Sequence, residues 1–352
     1  MKVEKKVISN LNKCYSISPL DYKGQKCFLV AAEKHDPCYL FAEDGTKLET
    51  VWTEPGGVMT MVPVPGGNGA FLATHQFYSP NDSANAKIVI ATPISENNWE
   101  IRTLCDAPFV HRFGILSRNG VNYLIVCCLK SHHAYKEDWR FPGACYAAVL
   151  PEDLSGFNAD NQLKIECIKS GMLKNHGYSL VKKNGYDTAV IGCEEGAFQF
   201  APPAAPGEDW EIKQLLSIPT SDAVLADFDG DGQLELGAIA PFHGASLVIY
   251  HLDKHGNYVP QWKYGAPEAD TEMIHATWVC DLLDKPTWIV GWRKGTKDTV
   301  AITWDGGDYK AEFIDRNTGC ANAMHFVNSQ GQDVIVGTNR EIDEVALYTI
   351  TE

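Results

Sequence analysis

Short apolar runs alternate with polar turns along the whole chain, and no stretch sustains a helical period. Seven times a polar hairpin, usually with a Gly, leads into a strand of apolar and small residues. The hairpins lie at 21–26, 65–69, 117–122, 182–187, 227–232, 281–285 and 328–333. The strands that follow are CFLVAAE (27–33), AFLATHQ (70–76), YLIVCCLK (123–130), TAVIGCEE (188–195), LELGAIAP (234–241), TWIVGWR (287–293) and DVIVGTNR (333–340). Such units, about 43 to 65 residues apart with no helix between them, predict a β-propeller.

A third strand is predicted after each of these, at 38–44, 87–93, 145–151, 197–203, 247–253, 299–305 and 344–350. A fourth follows in six cases, at 47–53, 99–106, 162–168, 210–217, 258–264 and 309–315. The last unit reaches Glu352 without one, and residues 2–9 have strand character and no other place. The expectation is an all-β, seven-bladed propeller spanning 1–352 as one domain, its last blade completed by the N-terminal strand so that no edge is left open. Two connections between second and third strands are long, at 77–86 and 131–143, a position where insertions tend to carry function.

Composition narrows the setting. Eleven Cys, many of them inside apolar strands, fit reduced thiols, and residues 1–9 lack the apolar core of a signal peptide. No stretch is apolar enough to span a bilayer, so a cytoplasmic protein is expected. A net charge of −15 argues against nucleic-acid and anionic-membrane partners.

The fifth hairpin carries Asp227, Asp229, Asp231 and Glu235 at alternate positions, with the Gln233 carbonyl between the last two and two Gly that let the chain wrap tightly. Hard divalent cations need such dense oxygen donors, and Ca²⁺ is the ion expected. An acidic hairpin without an ion is the competing reading, but its crowded carboxylates would repel one another. Asp227-Phe-Asp-Gly-Asp-Gly-Gln-Leu-Glu235 followed by Leu-Gly-Ala-Ile-Ala resembles the FG-GAP/VCBS propeller repeat, whose blades often hold Ca²⁺ in this loop. The wider pattern, with Ile274-His-Ala-Thr-Trp278 and Val336-Gly-Thr-Asn-Arg340, is similar to the propeller of aldos-2-ulose dehydratases, which dehydrate sugars.

In a propeller the first strand of each blade lines the central channel. Its start and the end of the second strand open on one face. First strands are predicted to begin near Tyr15, Met59, His111, His176, Asp222, His275 and His325. Second strands end at Glu33, His75, Lys130 with His132, Glu194 with Glu195, His243, Arg293 and Arg340. This reading gathers seven of the eleven His at one mouth, while the Asp227–Glu235 loop falls on the opposite face, where its ion would be structural. His111, His176, His275 and His325 at equivalent positions suit a Zn²⁺, Mn²⁺ or Fe²⁺ site, or general acid–base chemistry. Single His residues at strand starts also serve simply as links between blades. His35, His251 and His255 are expected at the surface, and Tyr78, Trp139 and Arg140 on the insertions are placed to close over a ligand.

Two functions follow. One is a metal-assisted lyase or isomerase acting on a small sugar or sugar acid. Arg293, Arg340 and Lys130 would hold the anion, and a free His or Glu194 would move the proton. Metal-dependent propeller lyases of uronic acids resemble this arrangement. The other is a non-catalytic propeller that binds a glycan or a protein partner. The chain offers no nucleophile motif or cofactor fingerprint.

Overall fold

The computed structural model describes residues 1–183 and 185–352; Asn184, in the hairpin expected at 182–187, lies outside the described residues. The strands fall into five four-stranded antiparallel sheets and one of eight strands. A single bridge, Arg118 to Tyr186, joins the two four-stranded halves of the larger sheet. Their innermost strands are Cys14–Tyr22, Met61–Pro63, Val110–Arg118, Gly177–Lys183, Asp222–Ala226, Thr271–Leu282 and Cys320–Val327, defining blades 1 to 7. Each innermost strand touches the next, and that of blade 7 touches that of blade 1, so the sheets close into a ring. This is a β-propeller.

Closure is made by the N-terminal strand. Lys2–Asn10 pairs antiparallel with Glu344–Thr351 as the outermost strand of blade 7. Lys5 ties this strand to Asp315 (2.8 Å) and Glu344 (2.7 Å).

The apolar pattern follows from stacking. Second strands such as Val121–Lys130 are covered on both faces by neighbouring blades, so from Tyr123 onward the run is buried without alternation. Outer strands such as Glu211–Leu216 meet water and mix polar with apolar residues. The fourth strand of blade 3, expected at 162–168, instead runs Glu166–Met172. The residues before it cover the edge of blade 2, where the Leu163 N–H donates to the Leu104 carbonyl (2.8 Å).

One recurring irregularity positions the site. The register of the innermost strand slips between Cys14 and Ser16, Val110 and Arg112, Ile274 and Ala276, and Cys320 and Asn322. The residues left out of the ladder are Tyr15, His111, His275 and Ala321. A bulge frees its residue from strand alternation and re-aims the side chain, here toward the channel.

Candidate functional site

Four imidazoles and one phenol meet at the channel axis, on the face opposite the hairpins. His111 and His275 come from the bulges of blades 3 and 6. His176 precedes the first strand of blade 4, its N–H donating to the Gly192 carbonyl (3.1 Å). A Cβ at Gly177 or Gly192 would strike the Ser221 carbonyl, so these two glycines let blade 5 come close enough to set Asp222 beside His176. His243 follows the second strand of blade 5 and holds a positive φ of 47°, an uncommon conformation for an L-residue. Tyr15 is the bulge residue of blade 1.

Hydrogen bonds fix the ring tautomers. The Nδ1–H of His111 donates to the His176 carbonyl (3.2 Å) and that of His275 to the Ala321 carbonyl (2.8 Å). The Nδ1–H of His176 donates to Asp222 Oδ2 (3.0 Å), which also accepts from Ser221 Oγ (2.7 Å). Carbonyl and carboxylate oxygens only accept, so each of these three rings carries a proton on Nδ1 and turns Nε2 toward the axis. Those Nε2 atoms converge. His243 Nε2 lies 3.0 Å from His176 Nε2, and Tyr15 Oη lies 2.9 Å from His275 Nε2 and 3.4 Å from His111 Nε2. His176, His243 and His275 each bring a donor atom within 4.8 Å of the others. Imidazoles oriented by an acceptor on the far nitrogen are the second-sphere pattern of metal-binding His, and neutral nitrogens suit Zn²⁺, Mn²⁺ or Fe²⁺.

Electrostatics favour the neutral form of His111, His243 and His275. Burial, reinforced by His176 and Arg112 for His111 and by Arg293 and His176 for His275, holds both well below the usual imidazole range. Burial and His176 do the same for His243. The Tyr15 phenol is pushed up to about 12 by burial. His111, His176 and His275 are only 4%, 1% and 1% exposed, so the mouth expected from the sequence narrows to a nearly dry centre at the axis.

Other expected members are placed elsewhere. His325 lies further down its strand, bonded through Nε2 to Asp333 Oδ1 (2.7 Å) near the opposite opening, and Ala321 fills the blade 7 position. His75 is buried edge-on against Trp52 at 4.7 Å, between blades 1 and 2, and burial lowers its pKa to about 4. Lys130 is fully buried and donates to Asn81 Oδ1 (2.7 Å) and the Asp138 carbonyl (3.2 Å), stapling the two insertions together. Trp139 packs its ring on the Lys130 ammonium (4.2 Å), and Arg140 forks onto the buried Asp138 with two bonds of 2.8 Å. His132 is exposed against Phe141, and Tyr78 stacks near His35. Glu194 is ion-paired with Lys174 rather than free. Arg293 reaches Glu341 (2.8 Å), while Arg340 pairs with Glu33 and with Glu341 (2.9 Å). Sequence reasoning missed Glu341, Lys174 and the part played by Asp222. Lys174 lies 5.1 Å over the ring of Phe242, which stacks on His243 at 4.1 Å.

On the hairpin face, Asp227, Asp229 and Asp231 bring carboxylate oxygens within 4.8 Å of one another. Asp227 accepts the N–H of Gly230 (2.8 Å) and of Gly232 (3.0 Å), which folds the loop. Glu235 is buried, accepts the Phe228 N–H (2.6 Å), and is pushed up to about 7 by burial with Asp229 and Asp227 behind it. His251, expected at the surface, is instead half-buried against this loop, its Nδ1 3.7 Å from Asp229 Oδ2 and its Nε2 2.8 Å from Tyr309 Oη. This crowd of oxygens fits a hard cation, which would relieve the mutual repulsion.

A cavity of about 990 Å³ also opens on the hairpin face, lined by Pro19, Pro63, Trp278, Met324, His325 and Phe326.

Among solved structures the chain is similar to several propellers. Virginiamycin B lyase from Staphylococcus aureus aligns over 99% of both chains at 12% identity, with a TM-score of 0.58. The periplasmic gluconolactonase of Pseudomonas aeruginosa aligns over 96% of this chain and 92% of its own at 13% identity, with a TM-score of 0.59. A β-propeller domain from Myceliophteria thermophila aligns over 99% and 100% at 8% identity, with a TM-score of 0.62. At these identities the likeness establishes the fold alone. No family model and no curated protein matches the chain in sequence, so the FG-GAP/VCBS and aldos-2-ulose dehydratase resemblances stand on the motifs quoted above. No helix is long and apolar enough to cross a membrane among the described residues. All eleven Cys are free thiols, nine of them buried.

Proposed function

We propose that the protein is a carbohydrate-active enzyme, a metal-assisted lyase or isomerase of a small sugar or sugar acid. The convergence of His176, His243 and His275 Nε2 atoms, with the His176 and His275 Nδ1–H groups tied back to acceptors, carries this reading. Those three imidazoles would hold a Zn²⁺ or Mn²⁺, which supplies Lewis acidity toward a carbonyl or carboxylate oxygen. His111, whose Nε2 lies outside that triad beside Tyr15 Oη (3.4 Å), would take a proton next to the polarised group. Arg293, near enough to His275 to depress its basicity, would hold a substrate carboxylate in exchange for Glu341. Glu194, committed to Lys174, has no such role. The acidic loop of blade 5 takes Ca²⁺ as a structural ion on the far face, and the free thiols support a cytoplasmic setting.

The hairpin-face cavity favours one other reading, a non-catalytic propeller that binds a glycan or a protein partner through aromatic and proline surface. Metal analysis separates the two, followed by incubation with a panel of uronic and ketosugar acids and detection of unsaturated or isomerised products. Stoichiometric Zn²⁺ or Mn²⁺, with turnover lost on chelation and on His111→Ala, is the result expected. A protein that neither retains nor takes up metal and turns over none of the panel would be a binding scaffold.

A further inference from the structure

The search for donors around the three imidazoles leads to a residue of a different type. We propose that Tyr15 is itself a donor to the central cation, making the centre a mixed imidazole–phenolate site. This inference rests on the metal reading above and deepens it.

Tyr15 occupies the same bulge in blade 1 that His111 and His275 occupy in blades 3 and 6, so the fold presents a phenol where two other blades present an imidazole. Its oxygen lies 2.9 Å from the Nε2 of His275, one of the three imidazoles that would hold the ion. Two donors each bound at about 2.1 Å to one ion are about 3.0 Å apart at a right angle and about 3.4 Å apart in a tetrahedron. The separation of 3.0 Å between His176 Nε2 and His243 Nε2 falls in the same range.

The side chain is also preset. Tyr15 is 2% exposed, and its own carbonyl accepts from Asn322 Nδ2 (2.8 Å) and Thr338 Oγ1 (2.9 Å). The Arg112 guanidinium packs over its ring at 5.6 Å. Holding the donor in place beforehand removes the ordering cost from metal binding.

Charge supplies the remaining argument. Three neutral imidazoles add nothing to the charge of a divalent ion, and an uncompensated double charge in a buried site is costly. Asp222 behind His176 offsets one unit, and a phenolate offsets the other. On binding, the cation–oxygen bond forms as the phenolic O–H breaks, and the proton leaves to the buffer. The hydrogen bond from Tyr15 to His275 is lost in the same step, which releases the His275 Nε2 lone pair to the ion.

Cu²⁺ serves as an optical probe. Metal-free wild-type protein titrated with Cu²⁺ is expected to develop a visible phenolate-to-copper charge-transfer band, absent from Tyr15→Phe. Competition dialysis with Zn²⁺ should show the variant binding at least about tenfold more weakly, the range for loss of a group that shapes a metal site. Phe keeps the ring and its packing; should the variant not fold, the wild-type band alone decides. A wild-type protein that binds metal without the band, with a variant of equal or tighter affinity, would make Tyr15 only a hydrogen-bond donor guarding His275. That overturns the inference and leaves the metal centre standing. No uptake of Cu²⁺ or Zn²⁺ by the wild type overturns both.

Discussion

Replacing Asp222 with Asn removes one charge while keeping nearly the same shape, and it would act on the proposed metal centre through a single ring. Asp222 is 2% exposed and accepts from His176 Nδ1 (3.0 Å) and Ser221 Oγ (2.7 Å). Although burial opposes it, the His176 ring beside it keeps the carboxyl below the ordinary carboxylate range, so it is ionised at neutral pH. The amide oxygen of Asn accepts both bonds, so folding should be little affected. What changes is the electron density that the carboxylate passes to His176 Nε2, and the negative charge that offsets a cation. Loss of such an outer partner lowers metal affinity by about 10- to 100-fold, or about 1.4–2.8 kcal/mol. Equilibrium dialysis of wild type and Asp222→Asn against buffered Zn²⁺, with melting curves as the folding control, measures this directly. Equal affinity in two equally stable proteins would refute the claim that His176 is a ligand oriented by Asp222.

The acidic loop and the buried His75 give two more tests. Asp229→Ala should abolish the rise in melting temperature that Ca²⁺ produces in the wild type, a linkage effect worth about 2.7 kcal/mol at a hundred times Kd, and should leave turnover unchanged; a calcium shift retained by the variant would remove Asp229 from the site. His75 has a folded pKa of about 4, well under its ordinary value, so between that value and pH 4 the unfolded chain binds more protons and stability falls as pH falls through this window. The His75 share of this loss should approach about 3 kcal/mol, so His75→Phe should lose about that much less stability than the wild type between pH 7 and pH 4, the buried axial imidazoles supplying the rest, and urea unfolding of both proteins checks it.

Most of the architecture was legible because a propeller writes its period into the sequence. A second strand covered on both sides must be continuously apolar, and a tight hairpin before it needs Gly or Asn, so YLIVCCLK and DVIVGTNR mark their blades without an alignment. The closing strand was legible for a different reason: an unpaired edge on the last blade and a spare strand at the N-terminus fit one another. The boundary of the last blade 3 strand was not legible, since residues 162–165 have strand character but spend it covering a neighbour.

At the axis the histidines were visible and the register was not. Tyr15, His111 and His176 stand nine positions before Gly24, Gly120 and Gly185, whereas His325 stands only six before Gly331. Counting back from the hairpin would have replaced His325 with a residue near Ala321 and raised Tyr15 to equal standing with the histidines. Selecting on residue type hid both. His251 was missed because strand alternation says which face of a blade a side chain takes, not which loop of the same blade it reaches.

Counting cations at the mouth overstates its positive charge, and the reason is the one-turn 3₁₀ helix Arg340–Ile342. Its Glu341 accepts from both Arg293 and Arg340, and Glu33 takes the other edge of Arg340, so two guanidinium groups face two carboxylates. Lys174 is likewise met by Glu194, and Arg140 by Asp138. An anionic sugar therefore does not enter a positive funnel. As the proposed substrate it would have to compete with Glu341 for Arg293, and that exchange would gain energy only if the substrate also engaged the centre beside His275. On the proposed function, recognition of the anion and engagement of the axial cluster would in this way be tied together, which would let a nearly dry site discriminate a sugar acid from the many other anions that carry the same charge.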